Sequence, residues 1–272
     1  MKAPTLSIGE VLDGASELAS RVFAPWAGVL WLLSIPVRLL QAHLAGRLLE
    51  LGAEAVRYGS SLHRIALAAT AAFVLCVLGR ALFVRACALA LRTRRVPGRE
   101  VLRLPAGGLL GYLYVALLFE ALFFATAISL VTIPALILLS GLAAATSVVP
   151  TRPGLLAPIR EVFRHGAPGK VLVALLAVFT AALALCAVNL YFVFQIGLWL
   201  LQGVPGLELG AWQARLSLAN PAFGLLLAAG ASLAVEPYWL AALTVYVQKL
   251  RSRESGEDLR LWFEGLRGAA AA

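Results

Sequence analysis

Four charged side chains lie deep within long apolar stretches of the sequence, and their types and positions make them the best candidates for chemistry: Arg38, Arg80, Glu120 and Glu236. Two arginines and two glutamates balance to zero charge, and charged side chains in hydrocarbon are strongly disfavoured unless they pair. Such a set could form a relay for protons or a substrate, or a polar staple that joins helices. The sequence favours the staple, because no further chain of polar residues leads from these positions to either end of the stretches.

The composition predicts an all-α integral membrane protein. Of the 272 residues, 61% are hydrophobic and 14% are charged, and the mean hydropathy is +0.88. Soluble domains are typically about 45–50% apolar and about 25% charged. The formal net charge of +9 would suggest a nucleic-acid partner for a soluble protein. Here the basic residues are concentrated in loops, so the expected partners are membrane lipids, with other protein subunits or a second copy, and no nucleic acid.

Six transmembrane helices fit the apolar stretches as three hairpins, each preceded by a short cytoplasmic amphipathic helix. The stretch 106–149 must hold two spans, because one helix of that length would be about 66 Å long against a hydrocarbon core of about 30 Å. We place its reversal near Ser129–Pro134. The chain is then a single transmembrane domain with a cytoplasmic amphipathic tail at 251–272. Its spans are 25–48, 64–91, 106–128, 131–149, 170–201 and 221–250.

Depth within these spans brings the four charged residues to one level. At a rise of about 1.5 Å per residue, Arg38, Arg80, Glu120 and Glu236 all lie about 17–21 Å from the cytoplasmic ends of their spans. We therefore predict an ionic cluster that joins spans one, two, three and six. Pro237 has no N–H and should free a backbone carbonyl that also accepts a hydrogen bond from an arginine.

A five-residue pattern occurs three times, each time shortly before a long apolar stretch. In each copy a variable first residue is followed by a glutamate, two apolar residues and a charged residue. We interpret each copy as part of a helix at the membrane surface. The first helix covers 7–23, with a capping box from Ser7 and Glu10; span one then begins at Pro25, with Trp31 on its interfacial side. The other two helices cover 98–104 and 157–165. The charged residues assigned to these interfacial motifs are Glu10, Arg99, Glu100, Arg103, Arg160, Glu161 and Arg164.

The basic residues give the orientation. With six spans both termini lie on the same side, and most arginines and lysines fall on that side, in the loops 92–103 and 151–170 and in the tail. Cytoplasmic loops carry an excess of Lys and Arg, so both termini are predicted to be cytoplasmic. The preference for arginine over lysine, together with many alanines, indicates a bacterium with a GC-rich genome, and the predicted location is the bacterial inner membrane.

The C-terminal part of the last span and the start of the tail contain a further motif: Tyr246, Arg251, Arg253, Glu254 and Asp258. With the opening stretch Ser7–Asp13, this pattern resembles a bacterial multi-pass family. The family is typified by the membrane domain attached to some glycerophosphoryl diester phosphodiesterases and by related stand-alone inner-membrane proteins. The resemblance implies a multi-pass helical fold. It implies no phosphodiesterase activity here, because no soluble segment is long enough for that domain.

Two functions fit this architecture. The first is a non-enzymatic scaffold or partner subunit of a membrane complex, which docks through its cytoplasmic interfacial helices. Those helices could also merely anchor the hairpins. The alternative is a transporter or channel for a lipid or small amphiphile, which internal repeats and polar residues in spans would favour. No enzyme motif, cofactor site or metal site is expected, since His43, His63 and His165 have no ligand spacing.

Smaller polar and glycine features are assigned to packing. Gly107 and Gly111 form a GxxxG pattern that could bring span three against a neighbour. Asn189 and Gln195 in span five are interpreted as interhelical hydrogen-bond partners. Arg85 lies about 9 Å from the cytoplasmic end of span two and should extend to the headgroups.

Overall fold

Apolar runs of the sequence become helices throughout the described part of the chain. The computed structural model describes residues 7–51, 59–93, 96–104, 106–126, 132–147, 169–202, 204 and 209–255. These residues contain no strand, and the predicted all-α class is confirmed. The elements are α1 (Ile8–Val22), a π-helical segment (Phe23–Ala27), α2 (Gly28–Leu51), α3 (Gly59–Arg92), α4 (Gly98–Val101), α5 (Ala106–Thr126), α6 (Thr132–Ser147), α7 (Gly169–Gln202), α8 (Gly210–Arg215) and α9 (Pro221–Ser255).

Four of the described helical segments are long and apolar enough to cross a membrane: Ile8–Leu40, Thr70–Leu91, Lys170–Gln202 and Pro221–Ser252. The first joins the predicted surface helix to span one, and the others correspond to predicted spans two, five and six. In the places of spans three and four, α5 and α6 have 21 and 16 residues and pack against each other. At about 1.5 Å per residue α6 is about 24 Å long, shorter than a hydrocarbon core of about 30 Å. The fold is that of an all-α membrane protein, and the count of six spans stays a prediction.

Two prolines lie elsewhere than the sequence predicted. Pro25 does not begin a helix, because it lies in the π-helical segment between α1 and α2. A π turn bonds residue i to residue i+5 and occurs as a single turn within α-helices, so the helix continues past a residue that has no N–H. Pro134 lies in the first turn of α6, where a missing N–H is tolerated. It is therefore not part of the predicted reversal, and residues 127–131 lie outside the described part.

The chain forms two units, each assembled from segments that are far apart in the sequence. Unit 1 comprises residues 1–26, 81–176 and 238–272, and unit 2 comprises 27–80 and 177–237. The boundaries between them fall within the π-helical segment, α3, α7 and α9.

Unit 1 has a core of helix segments that are buried nearly all round, residues 81–90 of α3 and 239–247 of α9. A helix that is apolar on all sides belongs in an interior. α6 approaches α9 closely at Gly141, where an added Cβ would lie 2.6 Å from Leu243 Cδ1 and 3.0 Å from Trp239 Nε1. A larger residue at this position would therefore require the side chain of Leu243 or Trp239 to shift.

Unit 2 includes close contacts between α2 and α3. A Cβ added at Gly79 would lie 3.0 Å from Leu33 Cβ. The thiol of Cys76 donates to the fully buried Ser34 Oγ at 3.5 Å. The helix α7 is the least covered of the candidate spans, with 17% of its apolar window buried. Most of α7 therefore faces the surroundings of the protein.

Candidate functional site

Three of the four predicted intramembrane charges meet in unit 2, each on a different helix. Arg38 lies on α2, Arg80 on α3 and Glu236 on α9, directly before Pro237. The Nε of Arg80 donates to Oε1 of Glu236, and the Nη2 of Arg38 lies 4.0 Å from the same oxygen. We call these three residues the charge cluster.

The charge cluster is buried, and its burial determines how much the loss of one charge would change the stability of the protein. Arg80 and Glu236 are each 6% exposed, and Arg38 has an intermediate exposure. A buried ion pair gains little over a well-packed apolar pair, but removal of one partner leaves an uncompensated charge and is strongly destabilising. The arrangement therefore joins α2, α3 and α9 through one carboxylate. The second carboxylate oxygen, Glu236 Oε2, is buried and accepts no hydrogen bond from the described residues.

Glu120, the fourth predicted member, lies on α5, and its side chain is outside the described part. Its place in the cluster stays a prediction.

A backbone carbonyl next to the charge cluster accepts a hydrogen bond from Trp31, for which the sequence predicts a position at the membrane interface. Pro237 has no N–H to donate to the carbonyl of Leu233, four residues earlier in α9. The indole Nε1 of Trp31 donates to that carbonyl oxygen at 2.9 Å. The prediction that Pro237 frees a carbonyl thus agrees with the structure, but the donor on Leu233 O is Trp31. The signal in the sequence was the proline itself, which identifies the carbonyl four residues before it.

The first interfacial motif forms α1, one face of which packs against α9 in unit 1. Ser7 Oγ accepts from the Glu10 N–H at 3.2 Å, as the capping box predicted. A Cβ added at Gly14 would lie 3.1 Å from Val245 Cγ1. On either side of Val245, Tyr238 Oη donates to Leu12 O at 3.3 Å and Lys249 Nζ donates to Glu10 O at 3.1 Å. The buried residues of α1 are Val11, Ala15, Leu18 and Val22.

The second motif forms the four-residue helix α4 and places its residues as the first motif does. Val11 and Val101, at matching positions, are both fully buried, while Glu10 and Glu100 are both exposed. Arg99 and Arg103 are exposed as well. The third motif, with Arg160, Glu161 and Arg164, lies outside the described residues, so the threefold repeat stays a prediction.

The C-terminal motif has a structural role in unit 1 where it is described. Tyr246 is fully buried within α9. Arg251 Nη2 donates to Thr146 O, in the last turn of α6, at 3.0 Å. A cation at this position satisfies a free carbonyl and complements the negative end of the helix dipole. The side chains of Arg253, Glu254 and Asp258 are outside the described part.

The remaining polar and glycine assignments divide into those that agree with the structure and those that do not. Gln195 Nε2 donates to Leu216 O at 2.9 Å, so it is a hydrogen-bond donor as predicted, but its partner lies in the turn directly after α8 and not in a neighbouring helix. Asn189 is exposed, and its side-chain amide bonds to none of the described residues. Gly107 has open space around it, so the GxxxG interpretation is wrong at this residue. Arg85 is partly buried, and its Nε has no hydrogen-bond partner in the described part of the chain.

Groups that commonly bind metals or act as nucleophiles are dispersed. Within the described residues no three His, Cys, Asp or Glu side chains lie close enough to hold a metal ion. Cys76, Cys87 and Cys186 are free thiols, and His43 and His63 are exposed.

Comparison of the chain with protein-family models, with curated proteins and with solved structures finds no match in any of the three. Its function must therefore be argued from the residues described above.

Proposed function

We propose that this chain is a non-enzymatic, six-span protein of the bacterial inner membrane, with both termini in the cytoplasm, which acts as a scaffold or partner subunit. The observation that carries the proposal is the way in which α1 packs against α9. Its apolar face packs on α9, two side chains from α9 bond to its backbone, and its charged face is left exposed.

The charge of this exposed face favours a protein partner over a lipid one. Glu10, Asp13 and Glu17 follow each other at helical spacing and are all exposed, and the exposed Arg21 pairs with Glu17. An acidic face is repelled by the anionic headgroups of the cytoplasmic leaflet. A basic segment of another protein would complement it, and electrostatic complementarity of this kind gives specificity and speeds association.

The charge cluster supports a structural role for the interior. Arg80 and Glu236 pair directly, and buried pairs of this kind specify how helices meet more than they add stability. A scaffold needs a fixed arrangement of helices, whereas a transporter needs two arrangements of comparable free energy. For this reason we place transport of a lipid or small amphiphile second.

The docking proposal is tested with a photo-crosslinking amino acid at Ser20, which is exposed on α1. We expect a discrete adduct with a protein that has a basic segment, and loss of this adduct when Glu10 and Asp13 are both replaced by Lys. With the purified partner, the same double replacement should weaken binding at least about tenfold. The matched control is Arg215→Glu, an exposed charge on α8, which should leave the adduct unchanged.

Two results would overturn the proposal. One is an adduct that forms equally well in the charge-reversed variant. The other is movement of a fluorescent lipid by the purified protein in liposomes that contain no partner, because this would establish the transporter. The six-span topology has its own test: reporter fusions after Arg95, after Gly166 and at the C-terminus should all report the cytoplasm.

A further inference from the structure

Asn189 lies near the middle of the apolar segment of α7 and faces outward. The candidate span Lys170–Gln202 has its midpoint at residue 186, three residues or about 4.5 Å from Asn189. If the segment is centred in a core of about 30 Å, the nearer headgroup region is about 10 Å away. A side chain as short as asparagine cannot reach it.

The carboxamide of Asn189 has no hydrogen bond to any residue in the described part of the chain, although it is both a donor and an acceptor. Lipid tails can satisfy neither function, and an amide left in hydrocarbon without a partner is strongly disfavoured. Gln195, six residues further along the same helix, donates to Leu216 O of its own chain. The amides of Gln195 and Asn189 therefore differ in one respect: among the described residues, Gln195 has a partner and Asn189 has none.

Asn189 lies within a continuous exposed seam of α7. We define the α7 seam as Leu185, Asn189, Phe192, Ile196 and Trp199, spaced alternately by four and three residues. The four apolar members are between 55% and 69% exposed. This alternation is the spacing by which one helix packs along another, and a single polar residue in such a seam fixes register and the number of helices.

We propose that the α7 seam is a homodimer interface, in which Asn189 of one copy bonds reciprocally to Asn189 of the other. The proposal rests on the membrane location of α7 given under Proposed function. Copies inserted with the same topology are related by a two-fold axis along the membrane normal, so the same residue lies at the same depth in both. Because an amide is its own complement, a second copy supplies the missing donor and acceptor at that depth. Asparagine side chains associate membrane helices in this way.

Cysteine crosslinking of the full-length protein in native membranes tests the geometry. In a background with Cys76, Cys87 and Cys186 replaced by Ala, oxidation should crosslink copies that carry Leu185→Cys or Phe192→Cys. Ala184→Cys is the matched control, because Ala184 is also exposed on α7 but lies about 140° around the helix from Asn189. It should not crosslink.

The role of the amide is tested by dilution of the purified protein in liposomes, with dimers counted by single-molecule fluorescence. Asn189→Leu should raise the dimer dissociation constant about threefold to thirtyfold, the effect of one or two interhelical hydrogen bonds. Asn189→Gln should preserve the dimer, and Gln195→Leu should lower thermal stability without changing the dissociation constant.

Several outcomes would overturn the proposal of a dimer. These are a protein that stays monomeric at every dilution, crosslinking at Ala184 equal to that at Phe192, or an unchanged dissociation constant in Asn189→Leu. The tests use no partner protein, and the double replacement at Glu10 and Asp13 should leave the dimer intact, so failure of the docking proposal is distinguished from failure of this one. Release of the protein from membranes by alkaline carbonate would instead remove the premise that α7 crosses the bilayer.

Discussion

Unit 1 and unit 2 are stabilised in different ways, although both are built from the same kind of apolar helix. In unit 1 the segments 81–90 and 239–247 are enclosed nearly all round, and Gly141 allows α6 to come close to α9. In unit 2 the helices leave more apolar surface exposed, and polar contacts join them. The Arg80–Glu236 pair and the bond from Trp31 to Leu233 O are of this kind.

This difference reflects how helices associate in lipid. Lipid tails are as apolar as leucine side chains, so apolar surface alone does not drive helices together in a bilayer. Close packing at small residues and hydrogen bonds between helices have to supply the specificity. Both units use both means. They differ in that unit 2 contains a buried ion pair, whereas the hydrogen bonds that join elements of unit 1 lie at exposed or partly buried positions. The comparison predicts that substitutions of polar residues are most damaging at the buried ion pair of unit 2, and that a small-to-large substitution at Gly141 is damaging in unit 1.

The largest effect is expected from Glu236→Gln, which leaves Arg80 and Arg38 without the carboxylate they share. Loss of one partner of a buried pair typically costs about 3–5 kcal/mol, and we expect a loss of this order in the unfolding free energy measured in detergent micelles. Arg80→Gln should also be strongly destabilising, and the double variant should recover part of the loss because no charge of that pair is then left unpaired.

The matched control for the charge cluster is Glu17→Gln, which breaks the exposed pair with Arg21 on α1. Exposed pairs of this kind contribute about 0–1 kcal/mol, so this variant should unfold almost as the wild type does. Equal losses for Glu236→Gln and Glu17→Gln would show that the charge cluster is not the element that joins the helices of unit 2.

A smaller effect is expected in unit 1 from Gly141→Ala, since the new Cβ would meet Leu243 Cδ1 and Trp239 Nε1. Overpacking a well-packed core typically costs about 1–3 kcal/mol. Gly107→Ala is the matched control: it has open space, and replacing a helical glycine by alanine there should stabilise by up to about 1 kcal/mol. Thermal unfolding of both variants checks this. Leu243→Val removes Cδ1, so in a double-mutant cycle Gly141→Ala should destabilise the Leu243→Val background less than the wild type. A Gly141→Ala variant as stable as Gly107→Ala would mean that the close approach of α6 and α9 is not needed.

The ends of α7 and α9 could be predicted closely from the sequence, because Lys170, Pro221 and Arg251 limit their apolar runs. The predicted span 221–250 corresponds to α9, Pro221–Ser255, and the span 170–201 to α7, Gly169–Gln202. Depth along these spans also brought Arg80 and Glu236 to one level, and the structure pairs them. Membrane depth is a single coordinate, and it can be counted in residues without knowledge of how helices are arranged around one another.

Features that depend on that arrangement could not be predicted. The GxxxG pattern predicts a close contact at Gly107, but the close contacts are at Gly14, Gly79 and Gly141, because the pattern does not say which face of a helix meets a neighbour. Trp31 was assigned to the interface because tryptophan is common there, yet its indole bonds to a carbonyl of α9. Sequence spacing identified the free carbonyl near Pro237 but not the side chain from another helix that reaches it.

The smallest effect is expected from substitutions at Trp31 and Pro237, which test directly whether a hydrogen bond between helices stabilises unit 2. Trp31→Phe removes the donor to Leu233 O, and a hydrogen bond between membrane helices contributes about 0.6–2 kcal/mol. Pro237→Ala restores an N–H at the position from which α9 itself can donate to that carbonyl. If the indole is needed because the proline leaves Leu233 O open, Trp31→Phe should destabilise the wild type by about 1 kcal/mol and the Pro237→Ala variant by much less. The cycle subtracts the packing lost with the larger ring, since that loss occurs in both backgrounds. Additive effects in thermal unfolding would contradict this account. The hydrogen bond from Trp31 would then contribute equally with and without Pro237, so the missing N–H of the proline would not explain it.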